Sequence, residues 1–156
     1  MVAAQHTGRA IPFAAAAGTI RAMQERAMIT EFLAGSRFAV VGASNDRSKY
    51  GNKVLRCYQQ AGHEIVAVHP SLTEVEGAPC VRNLAALPHA VHGVSIITPP
   101  PVTERIVEDA HAAGITRLWM QPGAESPDAI ARCEELGIDL IAGGPCILVE
   151  LGFRDH

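Results

Sequence analysis

The sequence predicts an α/β domain: a doubly wound, mostly parallel sheet of five strands in three α/β/α layers. Two patterns lead there. Apolar runs of four or five residues, too short for helices and mostly with β-branched members, recur at 38–41, 64–68, 94–97, 117–120 and 139–141. Helical stretches at 52–61, 102–113 and 128–136 separate them, closing on Gly62, Gly114 and Gly137, where a left-handed C-cap is expected. Strands that alternate with helices must pair in parallel through right-handed crossovers.

Taken in order, the first 28 residues stand apart. The patch IPFAAAAG at 11–18 follows Arg9, but Pro12 breaks it and Gly18 ends it, too soon for an export signal. The segment reads as a weakly ordered or helical extension, or as the product of a start upstream of Met28; helix formers then recur over 19–33. The binding domain is expected over 29–152, with 153–156 as a tail. Within it the strand segments AVV, IVAV, SII and LWM are apolar at consecutive positions, as parallel strands covered on both faces must be. Between Pro70 and Val94 the pattern is weakest, with only a turn at 83–87 cut by Pro88.

The chain has 156 residues, 48% hydrophobic and 19% charged, which is globular composition for one domain. Its net charge of −3 gives no field to hold nucleic acid or an anionic membrane, and no apolar run reaches the length of a membrane span. Cys57, Cys80, Cys133 and Cys146 are too widely spaced for a CxxC pair or a zinc site, so reduced thiols and a cytoplasmic setting are expected. His89 and His92 form an HxxH without acidic or thiol neighbours, so no metal is expected. There is no GxSxG elbow, no Walker loop, and no set of nucleophile, base and orienting group.

A doubly wound sheet binds ligands beyond the carboxyl ends of its strands. After the first strand comes VGASNDRSKYGNKVL, in which Gly42 allows a sharp exit, Ser44 and Ser48 supply hydroxyls, and Gly51 precedes a helix whose unpaired N–H groups favour an anion. The dinucleotide fingerprint GxGxxG is absent: its second and third glycines are Ser44 and Arg47. Arg47, Lys49 and Lys53 against Asp46 make this loop locally cationic, which suits phosphate; the blander account is that the only two lysines fall on a surface loop. The second strand ends in VAVHP, with His69 and Pro70 where an NAD site usually carries Asp or Glu, leaving His69 either tolerant of a ribose phosphate or a plain loop residue. Thr98, Pro99 and Pro100 form a stiff apolar ledge, a helix start, or both. Gln121 is the polar group expected to face the crevice after the fourth strand. Cys146, at the start of the last helical turn, is either an activated thiol or an inert core residue.

Together VVGAS, the loop through Lys49, Gly51 and Lys53, VAVHP, IITPPP, LWMQPGAES and GGPCILVE resemble the small stand-alone CoA-binding proteins. These are similar to the N-terminal CoA-binding domain of the succinyl-CoA synthetase α subunit and of ADP-forming acyl-CoA synthetases. The likeness runs from about 29 to 152 and implies a Rossmann-like fold that binds coenzyme A or an acyl-CoA. By this resemblance Gly42, Ser44 and residues 49–53 hold phosphates, His69 and Pro70 face the adenosine moiety, and Thr98 to Pro100 pack against the cofactor. The chain departs from the ligases' GxTGxxG-type loop, with GASNDRSKYG in its place, and has His69 where Asn is common. The synthetases also use a phosphorylated histidine in a second domain and a nucleotide-grasp partner. With the sequence stopping at His156, binding without a self-contained catalytic site is expected, as a monomer or homodimer with a possible protein partner. Two alternatives stay open: an NAD(P)-binding domain of an oxidoreductase or redox sensor, and a detached subunit of a synthetase-like complex.

Overall fold

The computed structural model describes residues 13–155. Helix α1 (Phe13–Leu33) leads into β1 (Arg37–Val41), α2 (Tyr50–Gln60), β2 (Glu64–Val68), β3 (Glu74–Val75), β4 (Ala78–Val81), β5 (Gly93–Ile96), α3 (Pro100–Ala112), β6 (Arg117–Met120), α4 (Pro127–Leu136), β7 (Asp139–Ile141) and the short α5 (Ile147–Glu150). The sheet has the order β3-β4-β2-β1-β5-β6-β7, and every pairing is parallel except β3 with β4. All five expected strands are present, shifted by at most one residue at an end. Residues 1–12, including the start of the 11–18 patch, lie outside the described residues.

The sheet has seven strands rather than five because residues 70–82, read from sequence as irregular, hold the β3–β4 hairpin. Its two-residue turn is Glu76 and Gly77, both at positive φ (48° and 79°), as tight hairpin turns require. A two-residue strand and one containing Pro79 leave too short an alternation to recognise. Residues 84–86 form a single 3-10 turn, capped by the Asn83 side chain accepting from the Ala86 N–H. Gly62, Gly114 and Gly137 have positive φ at the ends of their helices, as the C-cap pattern predicts.

Successive residues of each central strand feed opposite faces. Phe38 and Val40 of β1 pack with Ile65, Ala67 and Trp119 beneath α1, α2 and α5. Ala39 and Val41 join Val94, Ile96, Leu118 and Met120 beneath α3 and α4. Helix α1 is integral to the first of these layers, since Ile29 and Phe32 are buried there. Phe38 is the centre of an aromatic cluster, stacked on Tyr58 at 4.8 Å and on Phe32 at 5.3 Å between centroids. His63 meets both Phe38 and Tyr58 edge-on, and burial lowers its pKa.

Truncation of Phe38 is therefore expected to be among the costlier core changes: Phe38→Ala should lower unfolding stability by about 3–5 kcal/mol in urea titration. A depressed His63 pKa means that the unfolded chain takes up a proton before the folded one does. Stability from this group is complete above the ordinary histidine value near 6.5 and is lost as pH falls below it. The decline in stability from pH 7 to pH 5 should accordingly be shallower in His63→Gln than in the wild type.

Candidate functional site

The order of strands reverses at β1, which has β2 on one side and β5 on the other, so the crevice opens between the carboxyl ends of β1 and β5. Gly42 makes the exit from β1. Its φ is +93°, and a Cβ there would overlap the Ile97 carbonyl. Gly51, in the first turn of α2, lies with its Cα against the Gly42 carbonyl, where a Cβ would again collide. The sequence therefore has a close backbone approach at both glycines, and α2 starts two residues earlier than its pattern indicated.

The loop between these glycines is built from its own polar groups. Ser44 Oγ accepts from the Asp46 N–H, and Asp46 Oδ1 accepts from both the N–H (2.9 Å) and the hydroxyl (2.7 Å) of Ser48. These bonds hold the Asp46 carboxyl below its ordinary pKa. Beneath the loop the buried Asn52 donates to the Ser44 carbonyl (2.8 Å) and to Glu76 Oε1 (3.1 Å), and accepts from Arg56 Nε (2.7 Å). The 5%-exposed Arg56 donates onward to the Arg47 carbonyl and to Asp155. Asn52, Arg56, Glu76 and Asp155 thus fix the loop, a role that leaves no periodic signal in the sequence.

This network revises the cationic picture of the loop. Arg47 pairs with Glu76 at 3.2 Å and Lys53 with Asp155 at 3.5 Å. Of the three loop cations, only Lys49 is without an ion pair among the described residues.

A cavity of about 570 Å³ lies at the ends of β1, β2 and β5. Gly42, His69, Pro70 and Thr98 line it, so four sequence-derived candidates converge there. His69 Nδ1 accepts from the N–H groups of Ser71 (3.1 Å) and Leu72 (3.2 Å), which leaves Nε2 as the donor. Two arginines that sequence reading passed over complete the lining: Arg82, just after β4, and Arg105, in the second turn of α3. Arg82 was hidden because β4 was not recognised, and Arg105 because it follows the proline ledge within a helix. Ser44, Arg47, Lys49, Gly51, Lys53, Pro99, Pro100, Gln121 and Cys146 are outside this lining. Pro99 and Pro100 instead open α3, as N-cap and first helical residue. A second cavity, of about 660 Å³, lies toward the opposite end of α3, beside Leu84, Leu87, Val91 and Ile115, and is lined by no Arg or Lys.

Gln121 requires correction. It is fully buried rather than turned to the crevice, its Oε1 accepting from the Ile147 N–H at 3.0 Å and from the Tyr50 hydroxyl at 3.4 Å. The half-buried Cys146 is the N-cap of α5, and its thiol is in hydrogen-bond contact with the Tyr50 hydroxyl. Burial and this contact raise the Tyr50 pKa. Burial likewise pushes the Cys57 thiol up to about 12. The four cysteines form no disulfide, and among the described residues no cluster suited to a metal ion occurs. Among the described residues no helix is long and apolar enough to cross a membrane.

Residues 36–152 match the family described as CoA binding domain. The chain belongs to that family. This CoA-binding domain is 30% identical over 119 residues to an ADP-forming acetate–CoA ligase of Archaeoglobus fulgidus, covering 70% of this chain but only 17% of the ligase. It is 27% identical to an uncharacterized protein of Bacillus subtilis, over 74% of this chain and 87% of that one. Among solved structures, a conserved hypothetical protein of Pyrococcus furiosus is 38% identical with a TM-score of 0.70, covering 73% of this chain and 97% of that chain. An acetyl-coenzyme A synthetase of Ca. Korarchaeum cryptofilum, in complex with phosphate and ADP, is 25% identical with a TM-score of 0.62, over 69% of this chain and 25% of that one. The protein is a Rossmann-like CoA-binding domain related to ADP-forming acyl-CoA synthetases.

Because Gln121 holds the Ile147 N–H from within the core, Gln121→Ala should cost about 1–3 kcal/mol by leaving that donor unmet. Urea titration measures the loss. Ligand affinity, taken at a temperature where the variant is folded, should be unchanged.

Proposed function

We propose that this chain binds coenzyme A or an acyl-CoA with the adenosine end in the 570 Å³ cavity and the pyrophosphate at the exit of β1. The cavity itself is the observation that supports this most. It is of ligand-site size, it joins Gly42, His69, Pro70 and Thr98, and it has His69 where a nicotinamide-dinucleotide site has a carboxylate at the end of the second strand, with Arg82 and Arg105 in the same lining. In this reading Gly42 lets the pyrophosphate approach the backbone, the first turn of α2 offers N–H groups, and Ser44 and Lys49 add a hydroxyl and a charge. His69 Nε2 and Thr98 face the adenosine, with Val102 and Ile106 of α3 as its apolar wall. The residues present suit that ligand. We take 29–152 as the binding unit, in a cytoplasmic protein that holds the carrier without transforming it alone.

A second reading has one observation in its favour: in the archaeal ligase the matching stretch is a small part of a longer chain. A domain of this kind then serves a partner chain that brings the chemistry.

Calorimetric titration with coenzyme A and with NADH tests the main reading. Coenzyme A should bind in the micromolar range and NADH at least about tenfold more weakly. Lys49→Ala should weaken coenzyme A by several-fold, on the order of one exposed charge–phosphate contact. Retention of NADH without affinity for coenzyme A would overturn the assignment.

A further inference from the structure

We propose that Arg82 and Arg105 form a two-sided clamp for a phosphomonoester on the ribose, and so make the site selective for coenzyme A over its dephosphorylated form. This rests on the binding reading above and specifies which residues recognise which phosphate. The two side chains come from opposite flanks of the cavity. Arg82 follows β4, on the outer side of β2, whereas Arg105 is on α3, which follows β5 on the other side of β1. Both are exposed, and among the described residues neither has an ion pair. Most other arginines at the functional end or on the helices do have one: Arg47 with Glu76, Arg56 with Asp155 and Arg132 with Glu108.

Two carboxylates also line the cavity, Glu108 and Asp109. Glu108 is turned to Arg132, which holds its carboxyl below the ordinary range. Asp109 is one turn after Arg105 on α3, yet the two form no salt bridge. With Glu108 answered by Arg132, the cavity keeps two guanidinium groups against one carboxylate, in a chain whose overall charge is −3. A guanidinium presents paired donors that match the oxygens of a phosphate, and a phosphomonoester offers more charge and more acceptor oxygens than a diester. The place in the fold also selects the ribose over the pyrophosphate: the ends of β2 and its outer neighbour are where a doubly wound sheet reads ribose substituents, and the pyrophosphate belongs at the first turn of the helix after β1.

The experiment is calorimetric titration of the full chain with coenzyme A and with dephospho-coenzyme A, in the wild type, Arg82→Ala, Arg105→Ala and the double variant. Wild type should prefer coenzyme A by at least about tenfold, the scale of charge-assisted hydrogen bonds to one phosphate. Each single variant should lose part of that preference. The double variant should bind the two ligands within about twofold of each other, its loss of affinity for coenzyme A exceeding any loss for dephospho-coenzyme A. Thermal melting checks folding, which exposed substitutions of this kind leave intact. A wild type that binds both ligands equally, or a double variant that keeps the preference, overturns the clamp and leaves the binding reading standing. A wild type that binds neither ligand overturns both.

Discussion

The architecture of the site depends on one close backbone approach: the Gly42 Cα against the Ile97 carbonyl, with the Gly51 Cα against the carbonyl of Gly42 itself. Neither contact leaves room for a Cβ, so β1, β5 and the first turn of α2 can converge only where both residues are glycine. Convergence leaves the floor of the crevice as bare backbone. Ligand groups can then reach main-chain N–H groups, and the walls are supplied by whatever side chains follow β2, β4 and β5.

Around that floor the protein spends much of its local charge on its own loops. The β3–β4 hairpin places Glu76 at its tip, where the carboxylate meets Asn52 and Arg47, while the carbonyl accepts from Gln59 at 2.9 Å. From the other side Asp155 pairs with Lys53 and Arg56, and the Arg56 guanidinium lies 5.2 Å from the Phe153 ring centroid. Pairs of this kind contribute little when exposed, but those that involve the buried Arg56 and Asn52 replace water that these groups have lost. The loop after β1 is consequently a braced structural element rather than an open cluster of cations.

Sequence alone reveals the parallel strands because their apolar runs are uninterrupted, and it reveals the helix ends because glycine at positive φ has a conformational reason that does not depend on tertiary context. It places Gly42, His69, Pro70 and Thr98 at one crevice because each directly follows a strand that is easy to recognise. The same rule fails for Arg82, since β4 is four residues with an internal proline and its partner β3 is only two. It fails for Gln121 in the opposite sense. Position after β6 suggests a side chain turned to solvent, yet the start of α5 folds over it and needs its oxygen for the Ile147 N–H. Net charge counted along the loop misleads for a related reason: the acids that neutralise Arg47 and Lys53 are Glu76 and Asp155, 29 and 102 residues away in sequence respectively.

A phosphate does not discriminate among cations by sequence position; it responds to those whose charge is unspent and whose donors point at a common space. An arginine already held by a carboxylate has to break that pair, or share it, before it can serve a ligand. Among the described residues Arg82 and Arg105 have no such pair to break, and they share a cavity with His69, whose ring is oriented by the backbone N–H groups of Ser71 and Leu72. Orientation by main chain lowers the entropy still to be lost when a ligand accepts the Nε2 proton. In the proposed reading the loop after β1 supplies rigid backbone and the arginines supply uncommitted charge, and the separation of these two tasks would let one small domain distinguish the two ends of an adenosine carrier.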